Sequence, residues 1–423
     1  MKRIVLTTFG SLGDLHPFLA VGVGLKERGY DVAIATSDVH REQVLVNGLE
    51  FREVRPKIAE FQGGEDVQRR LWNPLTGTEF LIQDVMLPHL EDSFEDLYAA
   101  CAGADLVVTH PLWYAAPVVT ELLKIPLAAV ALQPATFVSS DDPSVIAAMP
   151  WLHRFRPLGP YAFRQIYRSV HGLASLRARA WAKPIAALRL RHGATALTYD
   201  PILRWATGAN QTMGWFSPLL GAPQLDWPSG AVATGFPFYD STKGLSAATA
   251  AFLDAGEPPI VFTLGSAAVR FAGSFYEESA EAARLLGLRA ILLVGEAATG
   301  PLGTLASGSI HVTAYEPFSA LFPRAAALVH QCGIGTTGKS LRAGIPVLGV
   351  PWGHDQFDNA DRLSRLGCGE VLSRSRYTGR RTAAALERLL GSATIAARCA
   401  EVAKTISAEN GVKSACDVLE AML

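Results

Sequence analysis

The stretch spanning residues 329–360, VHQCGIGTTGKSLRAGIPVLGVPWGHDQFDNA, decides the fold. It holds a strand end, a turn of small residues, a helix, a second strand and an acid–amide pair. The turn, with Gly333, Gly335, Thr336 and Thr337, leaves backbone N–H groups facing outward and opens a helix. The first N–H groups of a helix are unpaired and its dipole is positive at that end, so anions are attracted there. One strand later, Asp355 and Gln356 offer the acceptors and donors that sugar hydroxyls need. The segment reads as a cradle for a nucleotide diphosphate carrying a sugar.

The same turn also spells G-x-G-x-x-G from Gly333 to Gly338, with Asp355 roughly 20 residues on, as in dinucleotide-binding turns. Such a unit more often opens its domain, whereas this one lies late in the chain. A dinucleotide-binding acid ends the second strand beside the ribose. Here the strand of residues 345–350 runs into Pro351, and Asp355 follows at a helix start. An NAD-dependent oxidoreductase is therefore the lesser alternative.

Outward from this motif the chain alternates between strands and helices. Residues 4–9 form a short β-rich run. Residues 17–28 follow with Phe18, Val21 and Leu25 on one helical line, Pro17 suiting a first helical position and Gly29 the stop. Further strands are expected at 31–36, 106–109, 127–131, 260–264, 289–294, 310–313 and 326–330, a helix at 274–286, and a helical end at 382–423. Such alternation implies parallel sheets with crossover helices, here two doubly wound α/β domains facing across a cleft. Residues 140–195, rich in Arg, Trp, Pro and His, read as an excursion from the first sheet, their Arg run as a solvated helix face. The later part of the Pro- and Gly-rich stretch 217–244 reads as a linker. The expected division is a first domain at 1–235, a linker at 236–250, a second domain at 251–405 and a final helix at 406–423.

Composition narrows the class. A length of 423 residues suits two or three domains, and 49% hydrophobic against 18% charged residues suits a large core. A net charge of −1 gives no support for a nucleic-acid surface. Five scattered cysteines without a C-x-x-C argue against a disulfide scaffold or zinc site and for a reducing compartment. The apolar run after Lys2-Arg3 is too short for a signal peptide, and Asp14 arrives too soon. The longest apolar stretch, 125–138, is broken by Pro126, Gln133 and Pro134, so no membrane span is expected. A soluble cytoplasmic enzyme is the expectation.

Chemistry-bearing residues cluster after strands. In FGSLGDLHP, residues 9–17, Gly10, Ser11 and Gly13 form a tight turn at the carboxyl end of the first strand, where open α/β sheets bind ligands. Asp14 beside it can take a proton from an attacking hydroxyl, or can simply cap the helix beginning at Pro17. His110 also ends a strand and could orient Asp14 or share its proton; His16 is a weaker titratable candidate. On the donor side, Ser266 in FTLGS offers a second phosphate contact, and His330 could donate to a phosphate oxygen. Tyr315 in YEPF could stack on a base or serve as core. No Asp-x-Asp pair occurs, so metal binding of a sugar diphosphate through paired carboxylates is unsupported and dipole-plus-donor stabilisation is favoured. Trp113, Tyr114 and Phe137 suggest a lipophilic alcohol acceptor, or ordinary core.

These motifs resemble the GT-B glycosyltransferases of family 1 over essentially the whole sequence. Within that group the sequence looks most like the rhamnosyltransferases of rhamnolipid synthesis and the sterol glucosyltransferase-like proteins. The resemblance rests on GSLGD ending at Asp14, LWNP at 71–74, QLDWP at 224–228, TGFPFYD at 234–240, VFTLGS, YEPF, HQCGIGTT and HDQFDNADRLSRLGCG. It implies an inverting, metal-independent transfer of glucose or rhamnose from UDP-glucose or dTDP-rhamnose to a hydroxyl of a lipophilic acceptor, with no further cofactor. It implies an acceptor-binding first domain, holding His16, Trp113, Tyr114 and Phe137. It implies a nucleotide-sugar-binding second domain and a final helix that crosses back to the first. Asp14 matches the base of bacterial members, and His110 stands where plant relatives have the base's aspartate partner, as if the pair were swapped. Ser11 and Gly13 join the donor contacts. Three positions depart from the pattern: Gln331 where many relatives have a second His, Lys339 where a Glu or Gln often binds ribose, and Cys332 for a glycine. A non-catalytic nucleotide-sugar or lipid-binding partner subunit, or a GT-B epimerase, remains as an alternative, and peripheral membrane contact stays open.

Overall fold

Strand segments that are apolar at every position, not at every second one, must be covered on both faces, as parallel strands with crossover helices are. The computed structural model describes residues 1–62, 64–241 and 243–423; Thr242 of the expected linker lies outside the described residues. Strands β1 (Arg3–Thr7), β2 (Asp31–Thr36), β3 (Glu50–Glu53), β4 (Leu106–Thr109), β5 (Leu127–Ala131), β6 (Gln211–Gly214) and β7 (Val232–Ala233) form one parallel sheet in the order β3-β2-β1-β4-β5-β6-β7. A second parallel sheet, ordered β10-β9-β8-β11-β12-β13, is built from β8 (Ile260–Thr263), β9 (Ala290–Leu293), β10 (Ile310–Thr313), β11 (Ala327–His330), β12 (Val347–Gly349) and β13 (Gly369–Val371). Every residue of β4, β5, β8, β9 and β11 is buried.

The principal helices are α1 (Leu12–Glu27), α2 (Leu90–Cys101), α3 (Ala116–Leu123), α4 (Pro160–Trp181), α5 (Lys183–Arg191), α6 (Ala247–Asp254), α7 (Phe275–Leu286), α8 (Ile334–Ala343), α9 (Gln356–Arg365), α10 (Gly379–Leu390), α11 (Ala393–Ala408) and α12 (Gly411–Glu420). By contact the chain divides into two units. Unit 1 comprises Met1–Leu71, Leu75–Tyr239 and Asn410–Leu423; unit 2 comprises Trp72–Pro74 and Asp240–Glu409.

Helix α1 begins at Leu12, five residues earlier than Pro17 suggests. Ser11 caps it, and Asp14 at the third helical position accepts from the Ser11 backbone, closing a capping box. Pro17 then lies inside the helix, where it forgoes the bond that an N–H there would make to Gly13. Reciprocal capping sets the start, and the proline is carried within the second turn.

Helix α12 packs on α1 inside unit 1. A Cβ at Gly24 would stand 2.8 Å from Val412 Cγ1 and 3.1 Å from Cys416 Sγ. Arg28 at the end of α1 pairs with Asp417 at 2.8 Å and with Glu420. At the start of α12, a Cβ on Gly411 would come within 2.3 Å of the Phe236 carbonyl, so only glycine fits.

In both sheets the strand order reverses between two neighbours, β1 and β4 in unit 1, β8 and β11 in unit 2. Ligands of open parallel sheets bind outside the carboxyl ends of strands at such a reversal. The register pairs Thr7 with Thr109 and Thr263 with His330. The turn at residues 8–14 therefore leaves the sheet beside His110, and the turn at 264–266 beside residues 331–335. The motifs read from sequence sit at the two switch points.

Candidate functional site

In unit 1 the site is a turn built around Asp14. Asp14 Oδ2 accepts from Ser11 N at 2.7 Å and from Ser11 Oγ at 3.2 Å. Ser11 Oγ accepts in turn from Gly13 N at 3.2 Å, and Thr8 Oγ1 donates to the Asp14 carbonyl at 3.2 Å. Gly10, at φ +131°, is what lets the carboxylate fold back: a Cβ there would lie 2.2 Å from Oδ2. Burial pushes the Asp14 carboxyl up to about 6, against the lowering effect of the Ser11 bonds. By surface area the residue is half-buried. Oδ1 takes no hydrogen bond among the described residues, and it is not sealed away as a buried unpartnered atom. One oxygen is thus anchored and the other is available.

His40 is the residue that sequence reasoning missed here. Its Nε2 lies 3.0 Å from the Gly10 carbonyl, which can only accept, so the imidazole donates from Nε2. Burial holds its pKa below the ordinary histidine value, in keeping with a neutral ring. Nothing local in the sequence marks it, because it arrives from the turn after β2.

His110 does not join Asp14. Its Nδ1 accepts from Leu112 N at 3.4 Å and its ring stands edge-on to Phe18 at 6.5 Å. Among the described residues no hydrogen bond links it to Asp14. Burial lowers its pKa to about 3, so it is neutral. The swapped acid–imidazole pair is therefore absent from this geometry: the ring is turned into the core under β4. His16 stacks on Tyr239 at 4.9 Å, and Tyr239 in turn bonds to Asn47.

The aromatic residues read as acceptor contacts are mainly core. Trp113 and Tyr114 belong to the central hydrophobic cluster of unit 1, and Trp113 meets Phe9 edge-on at 5.7 Å. Phe137 is stacked on Trp227 at 3.7 Å and 4°, with Phe216 and Trp205 at its edges. Trp113 and Tyr114 also line a cleft with His110, Arg189, Tyr199 and Trp205, but its volume of about 20 Å³ is room for one water.

In unit 2 the switch point carries the glycine turn. Gly333 is the N-cap of α8, with Gly335 and Thr336 in its first turn. Thr337 is fully buried and spends its hydroxyl on the Gly333 carbonyl at 3.1 Å. Beside it, Ser266 lies exposed after β8. Gln331 spans the two turns: its Nε2 would be 2.4 Å from a Cβ on Gly265 and 3.1 Å from one on Gly333. Cys332 has φ +64°, a region that glycine enters freely and other residues at a cost. His330 is fully buried, and its Nδ1 accepts from Cys332 N at 3.0 Å, which helps hold that conformation. Its pKa is lowered by burial to about 3. The imidazole thus lies beneath the turn as a support, not on it as a surface donor.

After β12, Asp355 is the N-cap of α9, and Gln356 begins the helix. Gln356 is buried, and its Oε1 accepts from Trp352 N at 2.8 Å and Gly353 N at 3.2 Å, so its carbonyl clamps the turn before it, while its Nε2 donates to nothing among the described residues. Asp355 Oδ2 accepts from Asn359 Nδ2 at 2.6 Å, and the same amide nitrogen donates to the Cys332 carbonyl at 3.0 Å. Asn359, one helical turn on, is the second residue missed; it ties the acid to the glycine turn. Trp72 of the LWNP motif packs edge-on against His354 at 5.4 Å, and His354 has φ +53°. Tyr315 is exposed, with Phe318 tilted against it at 6.0 Å, so it is not core. Lys339 is largely enclosed, and burial lowers its pKa while nearby Asp240 opposes that.

Two family models match the sequence. Residues 4–138 match the glycosyltransferase family 28 N-terminal domain, and residues 289–422 match the erythromycin biosynthesis protein CIII-like C-terminal domain. The chain is 30% identical over 434 residues to the O-mycaminosyltylonolide 6-deoxyallosyltransferase of Streptomyces fradiae, covering 99% of this chain and 97% of that one. It is 28% identical over 384 residues to a sterol 3-beta-glucosyltransferase of Arabidopsis thaliana, spanning 87% of this chain and only 57% of that longer protein. Among solved structures, the calicheamicin glycosyltransferase CalG4 superposes with a TM-score of 0.73 at 17% identity, over 100% of this chain and 98% of that one. The spinosyn rhamnosyltransferase SpnG complexed with thymidine diphosphate gives 0.69 at 19% identity, over 99% and 100%.

Proposed function

The protein belongs to the GT-B glycosyltransferases, and from that premise we propose that it moves a hexose from a UDP- or dTDP-sugar to a hydroxyl of a lipophilic acceptor, by an inverting route that needs no metal. The observation that carries the reading is the Asp14 carboxyl: anchored through Oδ2, unengaged at Oδ1, and shifted to about 6. A base with that pKa is ionised at neutral pH yet holds a proton better than an ordinary carboxylate. In the proposed step the acceptor hydroxyl loses its proton to Oδ1 as its oxygen attacks the anomeric carbon, and the bond from that carbon to the diphosphate breaks.

The departing diphosphate gains negative charge. The N-terminus of α8, with the N–H groups that follow Gly333, and the exposed Ser266 would receive it. Asp355, held by Asn359, is the residue assigned to the sugar hydroxyls. Tyr315, exposed beside Phe318, is assigned to the base. Support for a lipophilic acceptor comes from two relatives named for O-mycaminosyltylonolide and for sterol, and support for a thymidine nucleotide from the ligand of the spinosyn enzyme.

Mass spectrometry of reactions offering UDP-glucose or dTDP-rhamnose with a panel of sterols, macrolide aglycones and hydroxy-fatty acids, with and without a chelator, tests the proposal. A gain of one hexose or deoxyhexose, indifferent to chelator, is the expected result. Donor binding without transfer to any alcohol would favour a non-catalytic partner subunit. Absence of donor binding would remove the nucleotide-sugar assignment.

A further inference from the structure

Residues 143–199 contain no Asp or Glu, yet they carry Arg154, Arg156, Arg164, Arg168, Arg177, Arg179, Lys183, Arg189 and Arg191 in a protein whose net charge is −1. Four of these are tied to carboxylates elsewhere in unit 1: Arg164 to Asp141, Arg177 to Glu79, Arg189 to Glu121 and Arg191 to Glu91. Among the described residues no ion pair engages Arg154, Arg168, Arg179 or Lys183, and all four are exposed.

The apolar residues of the same tract divide by face. Phe163 and Tyr167 on α4 turn inward and form a small core with Leu152, separate from the main core of unit 1. On the opposite side, Tyr161, Arg168, Leu176 and Arg179 follow one another at spacings of seven, eight and three residues, which places them on one line of the helix. Tyr161 is 77% exposed and Leu176 62% exposed. Leu173 beside this line and Trp151 before the helix are exposed too. Arg179 and Lys183 also border a shallow groove over Leu197 and Tyr199.

We propose that this outer face of α4, with Trp151 and Lys183, docks the protein on an anionic lipid surface. Cations and single apolar side chains alternate along the line, unlike the charge-depleted core of a protein–protein interface. Alternation suits a bilayer interface. Aromatic and leucine side chains enter to shallow depth, while Lys and Arg stems lie along them and extend their charged ends to phosphates. The inference rests on the surface of unit 1 alone and stands whether or not the sugar-transfer reading holds.

The test is sedimentation of the full chain with vesicles of phosphatidylcholine alone, and with about one third phosphatidylglycerol, at low and high salt. The expected result is binding to the anionic vesicles only, weakened by salt. The triple variant Arg168→Glu/Arg179→Glu/Lys183→Glu should bind at least about 100-fold more weakly. Tyr161→Ser/Leu173→Ser/Leu176→Ser should lose the binding that survives high salt. Thermal unfolding of both variants should match the parent, since these side chains lie mostly in solvent. Equal binding to neutral and anionic vesicles, or binding unchanged in the charge-reversed variant, overturns the proposal. No vesicle binding by the parent also overturns it and leaves the face to an acidic protein.

Discussion

Asp14→Asn separates two roles for one side chain, because the structure gives it both a cap to make and a proton to take. Asn keeps the shape and an oxygen that can still accept from Ser11 N. It removes the negative charge. The carboxyl is raised from 3.8 to about 6, chiefly by burial, so the folded chain holds that proton more tightly than the unfolded chain. The sign follows: this group's cost to stability is fully present above pH 6 and gone below 3.8. At about 1.4 kcal/mol per pH unit the cost is about 3 kcal/mol at neutral pH, an upper figure for a residue that is only half-buried. That figure is already net of the Ser11 hydrogen bonds, and solvent screening of a partly exposed carboxyl reduces it by about half. Asp14→Asn should therefore be as stable as the parent at pH 7.5, or more stable by about 1–2 kcal/mol, a rise of a few degrees in unfolding temperature. Its turnover should fall about 100- to 10,000-fold, the range for a lost general base, with donor affinity little changed. The assays are scanning fluorimetry at pH 7.5 and 4.5, donor binding by calorimetry, and product formation by mass spectrometry. The parent's rate should also fall on acidification through pH 6. A variant that is destabilised by about 1 kcal/mol and retains turnover within a few fold would refute the reasoning and leave Asp14 as a helix cap alone.

Gly10→Ala should place a methyl 2.2 Å from Asp14 Oδ2 and push the carboxylate off Ser11, so turnover should drop toward that of Asp14→Asn while circular dichroism stays native; unchanged turnover would mean that the turn does not position the base. Gly411→Ala sets a Cβ against the Phe236 carbonyl at 2.3 Å and should cost about 2 kcal/mol in urea unfolding; an unshifted midpoint would contradict the close approach. His110 and His330 are held neutral by burial, with pKa values near 3, so the stability each contributes is present above pH 6.5 and is lost as pH falls toward 3. Each should add up to about 1.4 kcal/mol of loss per pH unit in that window, opposite in sign to Asp14, and His110→Asn should flatten the slope seen in urea midpoints.

Runs dominated by apolar residues were legible because burial on both faces leaves no competing period: residues 31–36, 106–109 and 127–131 are strands at those bounds, buried but for Asp31. β6, whose sequence is QTMG, and the two-residue β7 carry no such run and owe their extended form to pairing with β5 and with each other. The start of α1 was misread because Pro17 suggests a first helical position, whereas the Ser11–Asp14 box three residues apart was the stronger signal. Glycine turns were readable as sites because small residues after a strand expose backbone N–H groups. What could not be read is whether a polar side chain spends itself locally. Gln356 and Thr337 bond to nearby backbone, His330 supports Cys332, and His110 faces Phe18. These depend on which way each side chain turns once the strand register is set. His40 and Asn359 depend on contacts from other segments, and spacing alone does not announce them.

The return of α12 to unit 1 has a consequence for synthesis. Unit 2 lies within residues 240–409 apart from Trp72–Pro74, so nearly all of it has been made before the last residues of unit 1 exist. Until Gly411 and its helix emerge, the groove that Gly24 leaves open on α1 has nothing to fill it, and Arg28 has neither Asp417 nor Glu420. On a ribosome, the first-made unit is then the last to be finished. A chain released at Glu409 would carry a complete second sheet beside a first unit with Val21 and Gly24 bared to water, a substrate for chaperones and proteases.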